Sequence, residues 1–365
     1  MAILASARLR SASMKKLRIL VKVGTNVLTD PQGRLDQDVI TRLARQMASL
    51  KSDGHEVLLV SSGAVGAGKD RLNLNTGSDP VVQRQVYASI GQIALMEKYQ
   101  QALSSWHLHA AQVLATKEDF RDRDHAHNMA ACLLALCQQP VIPIINENDV
   151  ISITELMFTD NDELAGLVAA LIQADLLIIL SSVDGVLNQL SQEVIPVIDA
   201  DDEDVWSHVT PGKSTFGRGG MLTKLRICQR IARLGIPVLM ANGKRDNVLQ
   251  DLLVKAAPHT RFEAQRKQRG LKRWLAFQAP RGYALIINDG AQAILQDPLR
   301  IASLLPVGIV GIEGDFKSGD LVTIRNTNGH EIGVGVSTYE AADLQSVLGL
   351  KEQKAAIHYD YMFIF

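Results

Sequence analysis

EVLLVSSGAVGAG, residues 56–68, is the stretch that decides the fold, because an apolar run leads directly into a glycine-rich turn and a helical segment. A short apolar run bounded by glycine is typical of a strand that is buried on both faces. Glycines after such a strand permit a tight turn and leave the N–H groups at the start of the next helix open to a ligand. The stretch therefore predicts one βα unit of a parallel sheet.

Similar units occur on both sides of this stretch, from residue 18 to about residue 257. Helical segments alternate with β-rich runs, which are RILVKV, EVLLV, LHAAQVLAT, VIPIIN, DLLIIL and PVLMAN. The helices are predicted to begin at Asp36, Asp79, Asp124, Asp162 and Gly220. The helix over 36–52 is typical, because its apolar residues recur at the spacing of one helix face. This alternation predicts an α/β fold built on a largely parallel, two-sided sheet.

The composition changes near residue 259. Residues 259–277 read HTRFEAQRKQRGLKRWLAF and are strongly basic, and the short β-rich runs beyond them are separated by turn residues. The predicted parts of the 365-residue chain are a disordered extension over 1–17, an α/β domain over 18–258, a basic linker over 259–277 and a β-barrel-like domain over 278–365. The last domain is expected to contribute nothing to the chemical step, so a chain ending near Pro258 is expected to fold and remain active.

Composition also excludes several classes of protein. The 38 basic and 39 acidic residues leave a formal net charge of −1, which gives no global field to attract nucleic acid or an anionic membrane. Because no run of about 18 apolar residues is present, we expect no membrane-spanning segment. Cys132, Cys137 and Cys228 have no CxxC spacing and lie in apolar helical patterns, which predicts reduced core thiols in a reducing compartment.

Three glycine-rich segments follow predicted strands or open predicted helices. Lys22 and Gly24 end the first strand, SSGAVGAG follows the second, and FGRGGMLTK at 216–224 places Lys224 one turn into a helix. None of the three matches the P-loop or the dinucleotide-binding motif. Taken together they predict a phosphate site, because phosphoryl transfer needs cations and N–H donors on the phosphate oxygens. Lys22 and Lys224 are therefore our candidates for catalysis.

Two knots of acids and amides lie close together in an apolar region, INEND at 145–149 and TDNDE at 159–163. Buried acids and amides are costly unless they have partners, so these residues indicate either a site or a local structural role. Glu147 also fits pairing within its own loop. Asp160 with Glu163 three residues later also fits a capping box for the following helix.

A family resemblance rests on VKVGTNVLT, LLVSSGAVGAG, VIPIINENDV, FTDNDELAGLVA, LSSVDGV and GRGGMLTK, in this order. The chain resembles the amino-acid kinase family, most closely its glutamate 5-kinases, and its C-terminal segment resembles a PUA domain. The resemblance implies a three-layer sandwich around a largely parallel sheet, with a small β-barrel-like PUA domain. It implies that the γ-phosphoryl group of ATP is transferred to the side-chain carboxylate of L-glutamate, giving L-glutamyl 5-phosphate, the first step of proline biosynthesis.

The resemblance and the chemistry of the residues together nominate a set of site residues. A glutamate substrate brings an α-ammonium, which needs oxygen acceptors, and an α-carboxylate, which needs donors. The predicted catalytic residues are Lys22, Lys224, Asp160 and Asp162, the two acids orienting the lysines. The predicted glutamate-binding residues are Ser62, Asp149 and Asn161. The predicted ATP-binding residues are Lys22, Gly24, Ser181, Ser182, Arg218, Gly219, Gly220, Met221 and Lys224.

One position departs from the family pattern, since Ser182 stands where the family usually has Asp, which puts one contact to the ribose or base in doubt. Mg²⁺ is expected to bridge the phosphates, with no protein ligand assigned. The family also implies a dimer or tetramer and inhibition by proline. The reducing compartment indicated by the cysteines is expected to be the cytoplasm. PUA domains commonly bind RNA, and RNA binding by the C-terminal domain stays open. Two alternatives stay open, which are a kinase of another carboxylate or carbamate substrate and an RNA-binding or RNA-modification accessory protein.

Overall fold

The computed structural model describes residues 15–72, 79–151, 160–202, 204–209, 220–265, 282–297 and 300–364, without the side chains of Arg121 and Arg123. Most of the predicted N-terminal extension and the second half of the predicted basic linker lie outside these residues. Of the helices within them, none combines the length and the hydropathy that crossing a membrane requires. The described residues form two sheets.

The larger sheet has eight strands in the order β3-β4-β2-β1-β5-β7-β8-β6. Its strands are β1 Arg18–Val23, β2 Glu56–Ser61, β3 His109–Ala115, β4 Val141–Glu147, β5 Leu176–Ser181, β6 Val197–Asp199, β7 Val238–Asn242 and β8 Thr260–Glu263. All neighbours pair in parallel except β7 and β8, which are antiparallel. The predicted largely parallel sheet is therefore confirmed.

Helices cover both faces of this sheet. They are α1 Thr25–Leu28, α2 Gln37–Ser52, α3 Ala64–Arg71, α4 Pro80–Ser104, α5 Lys117–Arg121, α6 Arg123–Cys137, α7 Asn161–Leu171, α8 Met221–Arg233 and α9 Val248–Leu253. One hydrophobic cluster joins one face of the sheet to α6, α7 and α8, and a second joins the opposite face to α2, α4 and α9. The predicted three-layer sandwich is confirmed.

Several helices begin directly after an acidic N-cap residue. Asp36, Asp79 and Asp160 each accept hydrogen bonds from backbone N–H groups of the first turn of α2, α4 and α7. The start predicted at Asp124 is wrong, because the carboxylate of Asp122 accepts the N–H groups of Asp124 and His125, and α6 begins at Arg123. A carboxylate just before the first turn compensates the unpaired N–H groups there.

Strand β1 lies at the centre of the large sheet, between β2 and β5. Its residues alternate between the two layers, so Ile19, Val21 and Val23 face the α2 and α4 side, and Leu20 faces the α7 and α8 side. Lys22 has the same parity as Leu20 and is only 3% exposed. The period of the strand thus directs the Lys22 side chain toward the layer that contains α7 and α8.

The boundary predicted at residue 258 is too early. Thr260–Glu263, assigned from sequence to the basic linker, forms β8, which pairs antiparallel with β7 and parallel with β6. Phe262 and Thr260 are fully buried, and the Thr260 hydroxyl donates to the Ile195 carbonyl at 2.7 Å. Buried and half-buried residues alternate in TRFE, which is typical of a strand with one face in the core. The basic residues around this segment therefore do not make it a linker.

The second sheet has five strands in the order β10-β9-β11-β12-β13. Its strands are β9 Ala284–Ile287, β10 Ile309–Glu313, β11 Leu321–Asn326, β12 Glu331–Val336 and β13 Met362–Ile364, with helices α10 Asp289–Gln296 and α11 Ala341–Ser346. Only the β9–β11 pair is parallel. Leu285, Ile324 and Phe316 belong to a separate hydrophobic core, in agreement with the predicted small β-rich domain.

The small sheet also contributes to the core of the large one. Val334 of β12 and Phe363 of β13 are 1% and 5% exposed and belong to the cluster that includes Ile227 of α8. Burial lowers the pKa of Arg230 on α8 to about 10, and the carboxylates of Glu163 and Glu331 partly offset that effect. The C-terminal sheet is therefore packed on the helix that carries Lys224.

The three cysteines are free thiols, as expected, but they do not all lie in the core. Cys137 and Cys228 are buried, whereas Cys132 is exposed on α6. Burial raises the pKa of Cys137 to about 11 and that of Cys228 well above its ordinary value, which keeps both thiols protonated. The prediction of core thiols is wrong for Cys132, because α6 lies at the surface with that side outward.

Helices α3 and α4 are in backbone contact, and glycine permits it. A Cβ atom on Gly91 would lie 1.7 Å from the Ala64 carbonyl oxygen, and one on Gly68 would lie 1.9 Å from that of Tyr87. Side chains at these positions would force the helices apart. This contact sets the position of α4, whose second turn faces the acid-and-amide knots.

Replacing Gly91 by alanine is expected to lower the free energy of unfolding by about 3 kcal/mol or more, because the new methyl group meets backbone that cannot rotate away. Thermal or urea unfolding measures the loss. Gly290→Ala is the matched control, since its Cβ would come no closer than 3.4 Å to Asn288 Oδ1 within α10. Glycine to alanine in an open helical position is ordinarily neutral or stabilising. Equal stability of the two variants would contradict the close contact of the helices.

Candidate functional site

The carboxyl ends of the parallel strands bring the predicted residues to one edge of the sheet. Val23 pairs with Ser61 in register, and Lys22 pairs with Val60 and Ile179. Gly24 and Ser62 thus follow neighbouring strands at the same edge. In an open α/β sheet this edge is where ligands bind.

Two lysines from different elements meet on one buried carboxylate. Lys22 Nζ lies 2.5 Å from Asp162 Oδ1, and Lys224 Nζ lies 2.5 Å from Asp162 Oδ2. The Asp162 side chain is 0% exposed, that of Lys22 is 4% exposed and that of Lys224 is 18% exposed. The sequence predicted that the acids of the second knot orient the lysines, and for Asp162 the geometry agrees. Lys224, the more exposed of the two, can reach a ligand without leaving the pair.

The elements explain why these three side chains converge. Asp162 lies in the first turn of α7, where the positive end of the helix dipole favours a carboxylate. Gly220 is the N-cap of α8, and the Lys224 N–H donates to its carbonyl, so the lysine projects from the first turn. Burial opposes ionisation of Asp162, but the two ammonium groups hold its pKa well below its usual range. Burial likewise opposes the charge on Lys224, and the carboxylates of Asp162 and Asp160 outweigh it and raise its pKa.

Asp160 has a different environment from Asp162. Its Oδ1 atom accepts from the N–H groups of Asp162 and Glu163, so Asp160 is the N-cap of α7, which is the Asp160 half of the predicted capping box. The Glu163 carboxylate pairs with Lys117 at 3.0 Å. Within the described residues Asp160 forms no ion pair with either lysine, and its buried Oδ2 atom accepts no hydrogen bond. Burial and the neighbouring Asp162 carboxylate raise the pKa of Asp160 to about 6. An unsatisfied buried carboxylate oxygen of this kind indicates a place for a cation or a donor.

Asn161 links the second knot to the end of β2. Its Nδ2 atom lies 2.9 Å from Ser62 Oγ, 3.1 Å from the Ser61 carbonyl oxygen and 3.0 Å from Asn146 Oδ1. Asn146 in turn donates to Gln92 of α4 at 2.9 Å. This chain of amides fixes the Asn161 side chain with Nδ2 inward, so that Oδ1 accepts no hydrogen bond from the described residues and is available to a ligand donor.

Asp149 is held by a residue that the sequence did not single out. Its Oδ1 atom accepts from Arg84 Nε at 3.0 Å and from Arg84 Nη2 at 2.5 Å. Arg84 Nη2 also lies 3.5 Å from Glu147 Oε2, so Glu147, which ends β4 and does not lie in a loop, pairs with α4. Arg84 sits in the second turn of a long helix with no motif around it. The one sequence signal that could have indicated Arg84 is its positive charge, which is complementary to the acids at 145–149.

The residues predicted to border the nucleotide are only partly described. Ser181 ends β5 and is buried, with its hydroxyl donating to the Val183 carbonyl at 2.9 Å, and Ser182 is exposed beside it. Gly24 lies close to the Lys22 ammonium, since a Cβ atom on Gly24 would be 3.5 Å from Lys22 Nζ. Gly220 and Met221 begin α8. Arg218 and Gly219 lie outside the described residues.

This geometry suits transfer of a charged group between two anions. A pair of ammonium groups at the edge of the sheet, with the amide donors and glycine turns around them, offers positive potential to oxyanions. The knot beside it offers carboxylate and amide oxygens to an ammonium group. A zwitterionic small molecule and a polyphosphate are the ligands that such a site accommodates.

Comparison of the sequence with known families agrees with the fold. The profile described as "Amino acid kinase family" matches residues 17–242, and that described as "PUA domain" matches residues 283–359. The chain therefore belongs to the amino acid kinase family.

Individual relatives are similar over nearly the whole chain. The chain is 46% identical over 350 residues to "Glutamate 5-kinase" of Chlorobaculum tepidum, covering 95% of this chain and 97% of that protein. It is 41% identical to "Glutamate 5-kinase" of Bacteroides thetaiotaomicron, covering 95% and 98%. Among solved structures, carbamate kinase from Giardia lamblia bound to AMP-PNP covers 69% of this chain and 99% of its own, with a TM-score of 0.50 at 16% identity. At that identity the structure supports the fold alone.

Proposed function

We propose that this protein is a glutamate 5-kinase, which transfers the γ-phosphoryl group of ATP to the side-chain carboxylate of L-glutamate. The observation that carries the proposal is the pair of lysines, Lys22 and Lys224, held on the single buried carboxylate of Asp162. The similarity to glutamate 5-kinases at 46% and 41% identity supports the choice of substrate over another carboxylate or a carbamate. The product, L-glutamyl 5-phosphate, begins proline biosynthesis.

The chemistry needs positioned cations more than it needs a base. A glutamate side chain, with a reference pKa of about 4.3, is already ionised near neutral pH and is a competent nucleophile. The barrier is the approach of one anion to another and the charge that develops on the phosphoryl oxygens. Lys22 and Lys224 supply positive charge at the reacting centre, and Asp162 keeps both amines in place between turnovers. Asp160 assists by fixing the start of α7 and therefore Asp162.

Glutamate is bound by the knots and by the end of β2. Asp149 and the free Oδ1 acceptor of Asn161 receive the α-ammonium, and Ser62 contributes its hydroxyl. Because Asn161 is clamped to Ser62 and Asn146, at 2.9 and 3.0 Å, it needs little reorganisation when the substrate enters. The side-chain carboxylate then points toward the two lysines.

ATP is bound across the turns after β1 and β5 and the start of α8. Gly24, Ser181, Ser182, Gly220 and Met221 border it, with Arg218 and Gly219 assigned from the family resemblance. Mg²⁺ fits this site, because Asp160 Oδ2 is a buried acceptor without a partner among the described residues. Mg²⁺ retains waters and needs few protein ligands, and when bound it neutralises charge on the β and γ phosphates.

Purified protein with ATP, Mg²⁺, L-glutamate and hydroxylamine is expected to form glutamyl hydroxamate, because hydroxylamine traps an acyl phosphate. Product should depend on both ATP and glutamate. Aspartate, N-acetylglutamate and carbamate are the competing substrates, and each is expected to give kcat/KM at least ~10²-fold lower than glutamate. A higher kcat/KM for any of them would replace glutamate as the proposed substrate.

Several further properties stay predictions. They are a cytoplasmic location, assembly as a dimer or tetramer, inhibition by proline and RNA binding by the C-terminal domain. The domain limits also stay a proposal, with the first domain extended to include β8. We place its end after Gln265, whose side-chain amide donates to Asp201.

A further inference from the structure

Arg84 of α4 forms an ion pair with Asp149, a residue predicted to bind glutamate. Its Nε and Nη2 atoms both donate to Asp149 Oδ1, at 3.0 and 2.5 Å. The Arg84 side chain is 24% exposed and that of Asp149 is 8% exposed, so the pair lies at the rim of the site rather than in open solvent. A guanidinium fork that donates twice to one oxygen has a defined orientation.

Each partner has one hydrogen-bonding group that no described residue contacts. Among the described residues, Arg84 Nη1 donates to no acceptor, and Asp149 Oδ2 accepts from no donor. Neither atom is among the buried polar atoms that lack a partner. The pair therefore presents one cationic donor and one anionic acceptor side by side.

An α-amino acid carries the matching pair of groups. Its α-carboxylate accepts from N–H donors and its α-ammonium donates to oxygens, and the two are joined through one carbon atom. Arginine recognises carboxylates through a planar fork, which a hydroxyl or a lysine does not reproduce. In the proposed function, Asp149 is assigned to the α-ammonium, and the α-carboxylate has no charged partner. Arg84 Nη1, held beside Asp149, supplies it.

We propose that Arg84 binds the α-carboxylate of the substrate and is a specificity-determining residue for an α-amino acid. This inference rests on the proposed function. The pair with Asp149 positions both halves of the recognition site, and the pull of Arg84 on Oδ1 leaves Oδ2 directed to the α-ammonium. A substrate that lacks the α-carboxylate loses the Arg84 contact and keeps the contact with Asp149.

A purely structural role for Arg84 is the competing explanation, because α4 also holds this loop in another way. Gln85 Nε2 donates to the Val150 carbonyl at 2.9 Å, directly after Asp149. A loop tether acts on every ligand of the site equally, whereas a carboxylate contact acts only on ligands that have the carboxylate. Two analogues of glutamate separate these cases. Glutarate lacks the α-ammonium, and 4-aminobutyrate lacks the α-carboxylate.

The experiment measures KM and kcat for L-glutamate, and the competitive inhibition constants of glutarate and 4-aminobutyrate, in the unchanged protein and in Arg84→Gln. We expect Arg84→Gln to raise the KM for glutamate and the inhibition constant of glutarate by ~10- to 100-fold, the effect of a lost charge-assisted hydrogen bond. The inhibition constant of 4-aminobutyrate should stay within ~3-fold, and kcat should fall less than KM rises. Arg84→Lys should be intermediate.

Two control variants test the interpretation. Gln85→Ala removes the loop tether and should change the constants of all three ligands by a common factor. Arg42→Gln removes an arginine of α2 whose Nε atom lies 3.2 Å from Asp246 Oδ1, and it should change none of the three constants. If Arg84→Gln weakens 4-aminobutyrate as much as glutamate, Arg84 is only a tether and the inference is wrong. If the unchanged protein does not phosphorylate glutamate, the proposed function itself is wrong. That result differs from a failure of the Arg84 inference alone, in which the unchanged protein is active and Arg84→Gln weakens all three ligands equally.

Discussion

Lys224→Ala is expected to lower kcat for glutamate phosphorylation by at least ~10²-fold while the protein stays folded. The Lys224 ammonium lies near the start of α8, 2.5 Å from Asp162 Oδ2, and the side chain is 18% exposed. Removing one preorganised donor from an oxyanion site commonly costs ~10²- to 10³-fold in kcat. The KM values for ATP and glutamate should change much less, because the charge that Lys224 stabilises is largest in the transition state.

The fold should tolerate this change, because Asp162 keeps its second partner, Lys22, at 2.5 Å. Arg226→Ala is the matched control on the same helix. Arg226 is exposed, with its guanidinium 5.4 Å from the centre of the Trp206 ring, and its loss should leave kcat within ~3-fold. Steady-state kinetics with circular dichroism of each variant make the comparison. A folded Lys224→Ala protein with near-normal kcat would remove Lys224 from the proposed mechanism.

Truncation of the chain after Pro258 is expected to abolish folding and activity. Truncation after Gln265 is expected to give a folded, active protein of lower stability. The shorter chain lacks β8, which joins β6 to β7, and loses the fully buried Phe262. The longer chain keeps all eight strands and loses only the C-terminal sheet. Its kcat per folded protomer should stay within ~3-fold, because Lys22, Asp162 and Lys224 all lie in the retained part.

The longer truncation should nevertheless be less stable than the full chain. It removes Val334 and Phe363, which belong to the same hydrophobic cluster as Ile227. Losing two large buried side chains costs about 3–5 kcal/mol, which lowers Tm by ~10 °C in a domain of this size. Phe363→Ala in the full chain should lower the temperature at which kinase activity is lost. Met362→Ala, the neighbouring change in the separate core of the small sheet, should lower it less.

We assign catalysis to the first domain and only a stabilising role to the C-terminal sheet. A soluble, folded chain ending at Gln265 that lacks activity would contradict this assignment. The C-terminal sheet would then complete the active site. Equal activity and stability of the chains ending at Pro258 and Gln265 would instead mean that β8 is dispensable. Calorimetry and kcat measured on the same preparations distinguish these results.

Local patterns in the sequence were sufficient for most of the elements. Strands such as Glu56–Ser61 are continuous apolar runs, and the helices begin after side chains that can accept their first N–H groups, such as Asp36 and Asp160. Both signals depend on residues that are close in the chain, so they can be recognised without knowledge of the fold. The same locality explains the errors, since Asp122 and Asp124 are both plausible caps and only the hydrogen bonds distinguish them.

The partners in the site depend on tertiary structure. The sequence by itself determined that Lys22 ends a strand, that Asp162 opens a helix and that glycines precede Lys224. It could not determine that both amines share one carboxylate, or that Arg84 reaches Asp149, because those contacts join residues far apart in the chain. They follow from strand order, which sets β1 between β2 and β5, and from the glycine contact that positions α4. Periodicity specifies which face of an element is buried, but packing decides what that face meets.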